Sequence, residues 1–189
     1  MQIYWDAFSA IGTVAAVVVA LILALQAEFY RRGNEKRKAG LVAARLLESV
    51  RLVGEEVRHK MAAFAFYEDE QEGSNDNFAC DMLTLRALAD VLDIDTIEAL
   101  SPLPGNCANR LAMAVGIIDA LGREIEYVKS KKPWSKWSAE WRKNYVERWM
   151  SMSSRASDYF LAVIRELESS AGSIAPIPSG EELHGPWEE

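Results

Sequence analysis

The chain has 189 residues, a formal net charge of −7 and two cysteines, Cys80 and Cys107. This length is enough for one helical anchor and one domain of about 140 residues. The acidic balance disfavours nucleic acid as a partner, and none is expected. The two cysteines are isolated, with no C-x-x-C motif, and are expected to be reduced core residues.

An uncharged segment at residues 7–27 is the most informative feature of the sequence. As a helix it would be roughly 31 Å long, which matches the hydrocarbon thickness of a bilayer. It has no polar face, which disfavours a surface helix. A signal peptide is disfavoured because no Lys or Arg precedes the segment and Leu25 would occupy a cleavage position that requires a small residue. We therefore predict a transmembrane helix within an anchor at residues 1–30.

Charges after this segment predict its orientation. No basic residue precedes it, and five cations follow it: Arg31, Arg32, Lys36, Arg37 and Lys38. The positive-inside rule places this side in the cytoplasm and the N-terminus outside. The sequence thus predicts a single-pass inner-membrane protein with a cytoplasmic C-terminal domain. The five cations would then lie at the surface of the lipid bilayer.

Within the segment, small residues recur at every fourth position: Gly12, Ala16, Ala20 and Ala24. Such a row lets two helix backbones approach closely, so it predicts a homo-oligomer with packed membrane helices. The alternative is that alanine is simply common in apolar helices.

The remaining sequence predicts helices and no strand. A 3-4 apolar repeat favours a long helix over residues 35–67, ended by an acidic loop at residues 68–77. A shorter helix over residues 78–92 and a one- or two-turn helix capped by Asp95 follow. The fold class is therefore all-α, with an antiparallel bundle of about four helices at residues 31–172. Residues 173–189 read as a flexible, acidic, proline-containing tail.

The last two long helices complete this bundle. One is capped by Asn106 and runs to about Val128, and the other begins at Ser135 or Ser138 and ends near Gly172. Between them lies a cationic connection at residues 129–136. We expect this connection to meet the acidic loop, either within one chain or between subunits. Apolar seams resembling those of coiled coils predict the core positions: Ala43, Leu47, Val50, Val57, Met61, Phe64, Met82, Leu85, Leu88, Ala89, Leu111, Ala114, Ile118, Leu121, Ile125 and Val128, with Gly54 at the remaining position of the first seam.

No motif with identifiable chemistry is present. Glu56 and His59 have the Glu-x-x-His spacing of di-iron bundles, but that chemistry needs a second such motif and two further glutamates. The acidic loop resembles the start of a calcium loop, but its twelfth position is Ala79 instead of a bidentate Glu. We therefore expect no enzyme activity, no cofactor and no metal.

An aromatic and basic run at residues 129–148 has three interpretations. It includes Trp134, Trp137, Trp141 and Tyr145 at helical spacing. Such rings most often pack in a core, with the apolar face continuing through Trp149 toward Leu167. Docking at a lipid interface and contact with a partner or ligand are the alternatives.

The N-terminal pattern Trp5-Asp6-x-x-Ser9-x-x-Gly12-Thr13, followed by an apolar run and a basic stop, resembles that of small bacterial and prophage membrane proteins. The architecture is also similar to membrane effectors and exclusion proteins of phage–host conflict. The resemblance implies a non-enzymatic, self-associating effector, pore-like assembly or exclusion factor in phage defence. The alternative is a monomeric membrane-tethered module that recruits a cytoplasmic protein partner.

Overall fold

The structure is a computed structural model that describes the backbone of residues 2–79 and 83–174 and the side chains of residues 16–79, 83–87 and 89–173. Within these residues the chain is all-α and has no strand, which confirms the predicted class of secondary structure. The α-helices are α1 (Gln2–Ala65), α2 (Asp69–Glu72), α3 (Thr84–Ala89), α4 (Ile94–Glu98), α5 (Cys107–Lys131) and α6 (Ala139–Ile174). A 3-10 turn, Trp134–Lys136, precedes α6.

The apolar segment of α1 corrects the main prediction from the sequence. Across the described residues, no helix has the length and apolar character needed to cross a membrane. The side chains of residues 7–15 lie outside the description. The predicted transmembrane helix and single-pass inner-membrane localisation, N-terminus outside and C-terminal domain cytoplasmic, are therefore wrong.

The chain divides into two compact units, Met1–Lys38 and Ala39–Glu189. In the first unit α1 is helical throughout from Gln2, including at Gly33 and Asn34. Most of the tail predicted for residues 173–189 lies outside the described residues, which end at residue 174.

In the second unit, the part of α1 that begins at Ala39 runs antiparallel to α6. Arg51 pairs with Glu168 at 2.6 Å, and farther along α1 the Phe64 ring lies 5.9 Å from that of Trp149. At Gly54 the two helices approach so closely that an added Cβ would lie 3.3 Å from Cβ of Phe160. The seam position predicted for Gly54 is therefore a close helix contact.

α5 also runs antiparallel to α6 and carries the most regular part of the core. Glu124 on α5 pairs with Arg148 on α6 at 3.1 Å, and Gly105, just before α5, lies against Glu166. The predicted seam is confirmed, because each member is at most 1% exposed: Leu111, Ala114, Ile118, Leu121, Ile125 and Val128. This burial of apolar surface is the main driving force for folding the unit.

The sequence predicted one helix over residues 78–92 and a one- or two-turn helix at Asp95. In the described part of this region residues 78 and 79 are helical, α3 follows the gap at residues 80–82, and α4 is the short helix at Asp95. Leu85 and Ala89 are buried as predicted, whereas the side chains of Met82 and Leu88 lie outside the description. Arg86 joins α3 to α5 through two carboxylates, those of Asp119 at 3.5 Å and Glu126 at 2.9 Å.

Helix caps differ in detail from the prediction. The carboxylate of Asp93, two residues before the predicted cap Asp95, accepts a hydrogen bond from the Thr96 amide at 2.7 Å and begins α4. Ser138 caps α6, as its hydroxyl accepts from the Trp141 amide at 3.4 Å. Asn106 precedes α5 as predicted, but its side chain makes no capping bond.

Candidate interaction surfaces

The N-terminal apolar segment, residues 16–27 of α1, is exposed in the first unit. Its seven large aliphatic side chains are each 49–63% exposed: Val17, Val18, Val19, Leu21, Ile22, Leu23 and Leu25. Single exposed apolar residues are ordinary, but a contiguous exposed patch on a protein marks an interaction site.

Small residues form one face of this segment. Ala16, Ala20 and Ala24 are all exposed, and at 100° per residue they lie within about 80° of one another around the helix. The larger aliphatic residues occupy the remaining directions. The fourth member of the predicted packing row, Gly12, lies outside the described side chains.

Cations follow the segment, and two of them are paired within the helix. Glu28 accepts hydrogen bonds from Arg31 at 3.0 Å and Arg32 at 2.6 Å. These bonds lower the pKa of Glu28 to about 2. Lys36, Arg37 and Lys38 are exposed. The membrane-surface role predicted for the five cations loses its basis with the transmembrane helix.

Arg142 joins the acidic loop to the start of α6. Its guanidinium makes two hydrogen bonds to the Asp69 carboxylate, at 2.6 and 2.7 Å, and donates to the carbonyl of Trp137 at 2.5 Å. Tyr67 donates to the same carboxylate at 2.8 Å. The bonds from Arg142 hold the pKa of Asp69 below its usual range. Burial and the bond to Asp69 raise the pKa of Tyr67 to about 12.

A second contact joins the same two regions. The Asp76 carboxylate accepts a hydrogen bond from the Ser135 amide at 2.8 Å, which lowers the pKa of Asp76. The acidic loop thus meets the end of the cationic connection within one chain. The contacts use the backbone amide of Ser135 and the side chain of Arg142, which lies beyond the predicted connection at residues 129–136. Arginine suits this contact because its planar fork binds a carboxylate through two bonds.

The aromatic run is core at one end and surface at the other. Trp134 and Trp149 are buried and stack with ring centroids 5.5 Å apart. Ring contacts continue outward through Tyr145, 5.7 Å from Trp149, to Trp141, 5.9 Å from Tyr145. Core packing, the leading interpretation of the sequence, therefore fails at Trp141. In this part of α6 the buried face includes Val146 instead of Trp141.

The aromatic cleft lies where α5 and α6 leave these rings uncovered. It has a volume of about 280 Å³ and is lined by Glu124, Tyr127, Trp141, Asn144, Tyr145 and Arg148. Tyr127 and Trp141 are each 55% exposed. Cations lie over one ring of the cleft and over one ring beside it: Lys131 is 4.9 Å from the Tyr127 centroid, and Lys132 is 4.3 Å from that of Trp137. Such cation–π pairs show that the ring faces attract positive groups.

The acid–base candidates of the sequence form no reactive site in the described residues. Glu56 pairs with Lys60 at 3.1 Å, and His59 is exposed beside it. Among the described side chains, no group of three or more His, Cys, Asp or Glu could hold a metal ion. Cys107 is a buried free thiol, and burial raises its pKa to about 11. Cys80 lies outside the described residues.

Comparison with protein families, curated proteins and solved structures finds no match to this chain.

Proposed function

We propose that the protein is a non-enzymatic, self-associating helical protein whose copies assemble through the N-terminal apolar segment. The observation that carries this proposal is the exposure of all seven large aliphatic side chains between Val17 and Leu25. A helix that is apolar on every side is stable in water only when other elements cover it. Other copies of the same segment supply such a cover at equal concentration and with matching shape.

The row of small residues gives this assembly a geometry. Ala16, Ala20 and Ala24 present almost no side chain, so two helices that meet along this row approach closely and gain many van der Waals contacts. The larger residues on the other faces then cover one another in an assembly of several helices. A dimer buries part of this surface, and a larger bundle buries more.

The second candidate is a monomeric module that recruits another protein, which the aromatic cleft favours. Its half-exposed Tyr127 and Trp141 are residue types that commonly anchor protein interfaces. The two candidates differ in the mass of the isolated protein. An effector or exclusion role in phage–host conflict stays a prediction, because no described contact bears on it.

The test is the mass of the full-length protein and of two variants by size-exclusion chromatography with light scattering. We expect the unmodified chain to exceed the 21.1 kDa monomer. The double substitution Leu21→Glu with Leu23→Glu should return it to the monomer, because association would bury two carboxylates in an apolar contact.

Leu52→Glu is the matched control. Leu52 is also on α1 and is 63% exposed, but it belongs to the second unit and lies outside the N-terminal apolar segment. This variant should keep the mass of the unmodified chain. A monomeric unmodified protein would refute self-association, and equal effects of both variants would refute the assigned surface.

A further inference from the structure

We propose that the aromatic cleft binds the C-terminal segment, residues 181–189, of a second copy of the chain. The inference rests on the proposed self-association, which supplies the second copy. It assigns a partner to a surface that the first proposal leaves unused.

The cleft offers aromatic faces with positive charge beside them. The carboxylate of Glu124 is neutralised by Arg148 at 3.1 Å. Lys131, over the Tyr127 ring of the cleft, and Lys132, over the neighbouring Trp137 ring, place positive charge at the rim. An acidic segment is attracted to this rim, and an aromatic side chain in that segment can stack on the exposed rings.

The C-terminal segment has this chemistry. Its sequence is Glu-Glu-Leu-His-Gly-Pro-Trp-Glu-Glu, and residues 175–189 contain no Lys or Arg. Trp187 is the only aromatic residue after α6, and it stands between Pro186 and two glutamates. One ring for the cleft and four carboxylates for its rim thus occur within nine residues.

Reach favours a second copy as the source of the segment. α6 ends at Ile174, and Tyr145 in the cleft lies about 44 Å back along the helix. The residues from 175 to 187 span at most about 45 Å when fully extended. The chain's own Trp187 would need a completely straight tail, which forfeits its conformational freedom. The tail of a second copy does not start at this fixed distance along the same α6.

The experiment is photo-crosslinking in the full-length protein. The photoreactive residue p-benzoylphenylalanine replaces Asn144, which lines the cleft. This substitution keeps the three aromatic rings of the cleft, Tyr127, Trp141 and Tyr145. Unlabelled chains carrying it are mixed with ¹⁵N-labelled unmodified chains and allowed to exchange, and the mass of the sample is measured in parallel. We expect adducts between an unlabelled cleft and residues 181–189 of a labelled chain. Trp187→Ala in the labelled chain should lower their yield about threefold or more.

The control places the photoreactive residue at Met113, which is also on α5 and 53% exposed but does not line the cleft. This position should give no adduct with residues 181–189. Suppose that the sample is oligomeric but the cleft crosslinks to other residues, or crosslinks to residues 181–189 only of its own chain. This result would overturn the inference and leave self-association standing. A monomeric sample would overturn the proposed function and this inference together.

Discussion

Arg142 joins the acidic loop to the start of α6, and its partner Asp69 makes this contact sensitive to acid. The pKa of Asp69 is below that of an unfolded aspartate, about 3.9, because the folded state stabilises the charged form. The folded state therefore gains stability from Asp69 above pH 4. This gain is lost as the pH falls through the depressed pKa, because the carboxylate must then be protonated.

We predict that Asp69→Asn lowers the free energy of unfolding at pH 7 by about 1 kcal/mol, since Arg142 loses a charged partner and the site is partly screened by solvent. Chemical denaturation followed by circular dichroism, at one protein concentration, measures the change. The deficit should shrink as the pH falls below about 4. Glu70→Gln, at an exposed neighbouring position, is the control and should change little. A deficit that is independent of pH would contradict the charged contact.

Gly105 is the residue whose backbone most clearly requires glycine. Its φ is 68°, and an added Cβ would lie 2.8 Å from the carboxyl group of Glu166. Gly105→Ala should lower the free energy of unfolding by about 1–2 kcal/mol, because an L side chain is strained in this region.

Gly116→Ala is the matched control, because Gly116 lies within α5 and a Cβ there would meet nothing within 4 Å. It should raise stability by about 0.5–1 kcal/mol, since alanine favours a helix. Denaturation curves that give both variants the same sign would contradict the assignment of the Gly105 turn.

At the scale of elements, regular apolar repeats predicted the long helices well. The seam of α5 is buried at every predicted position because an unbroken 3-4 repeat gives the helix a single apolar face, and only this face can pack on the neighbouring helices. Prediction failed where contacts from distant segments decide the outcome. The buried face of α6 shifts from Trp141 to Val146, and the sequence spacing at these positions did not distinguish core from surface. The Arg142 contact with Asp69 likewise joins residues far apart in the chain.

The α5 seam leads to a stability prediction. Ile118→Asp should unfold the second unit, because an unpaired buried carboxylate costs several kcal/mol against a typical total of about 5–15 kcal/mol. Met113→Asp, at an exposed position of the same helix, should leave a cooperative thermal transition. Retention of that transition in Ile118→Asp would contradict the role given to the seam.

The small-residue face of α1 leads to a prediction of geometry. Ala20 is the centre of the described row, so parallel and antiparallel pairing both bring its two copies together. In a Cys80→Ser background, Ala20→Cys should form an intermolecular disulfide on mild oxidation, because paired cysteines need Cα atoms within about 7 Å. Ile22→Cys, on another face of the helix, is the control and should react more weakly. Equal yields would show that the row does not set the contact.

At the scale of the whole molecule, the sequence predicted a membrane anchor and the described residues overturned it. No helix of the described residues has the length and apolar character to cross a membrane. The exposed aliphatic surface remains, and water penalises its exposure. Assembly of copies is the account that covers this surface with residues of the chain itself.

The measurement that tests this account most directly is sedimentation equilibrium of the unmodified, full-length protein over a range of concentrations. We predict a mass that is a multiple of 21.1 kDa and that falls toward this value only on dilution. A mass of one chain at every concentration would contradict the proposed self-association.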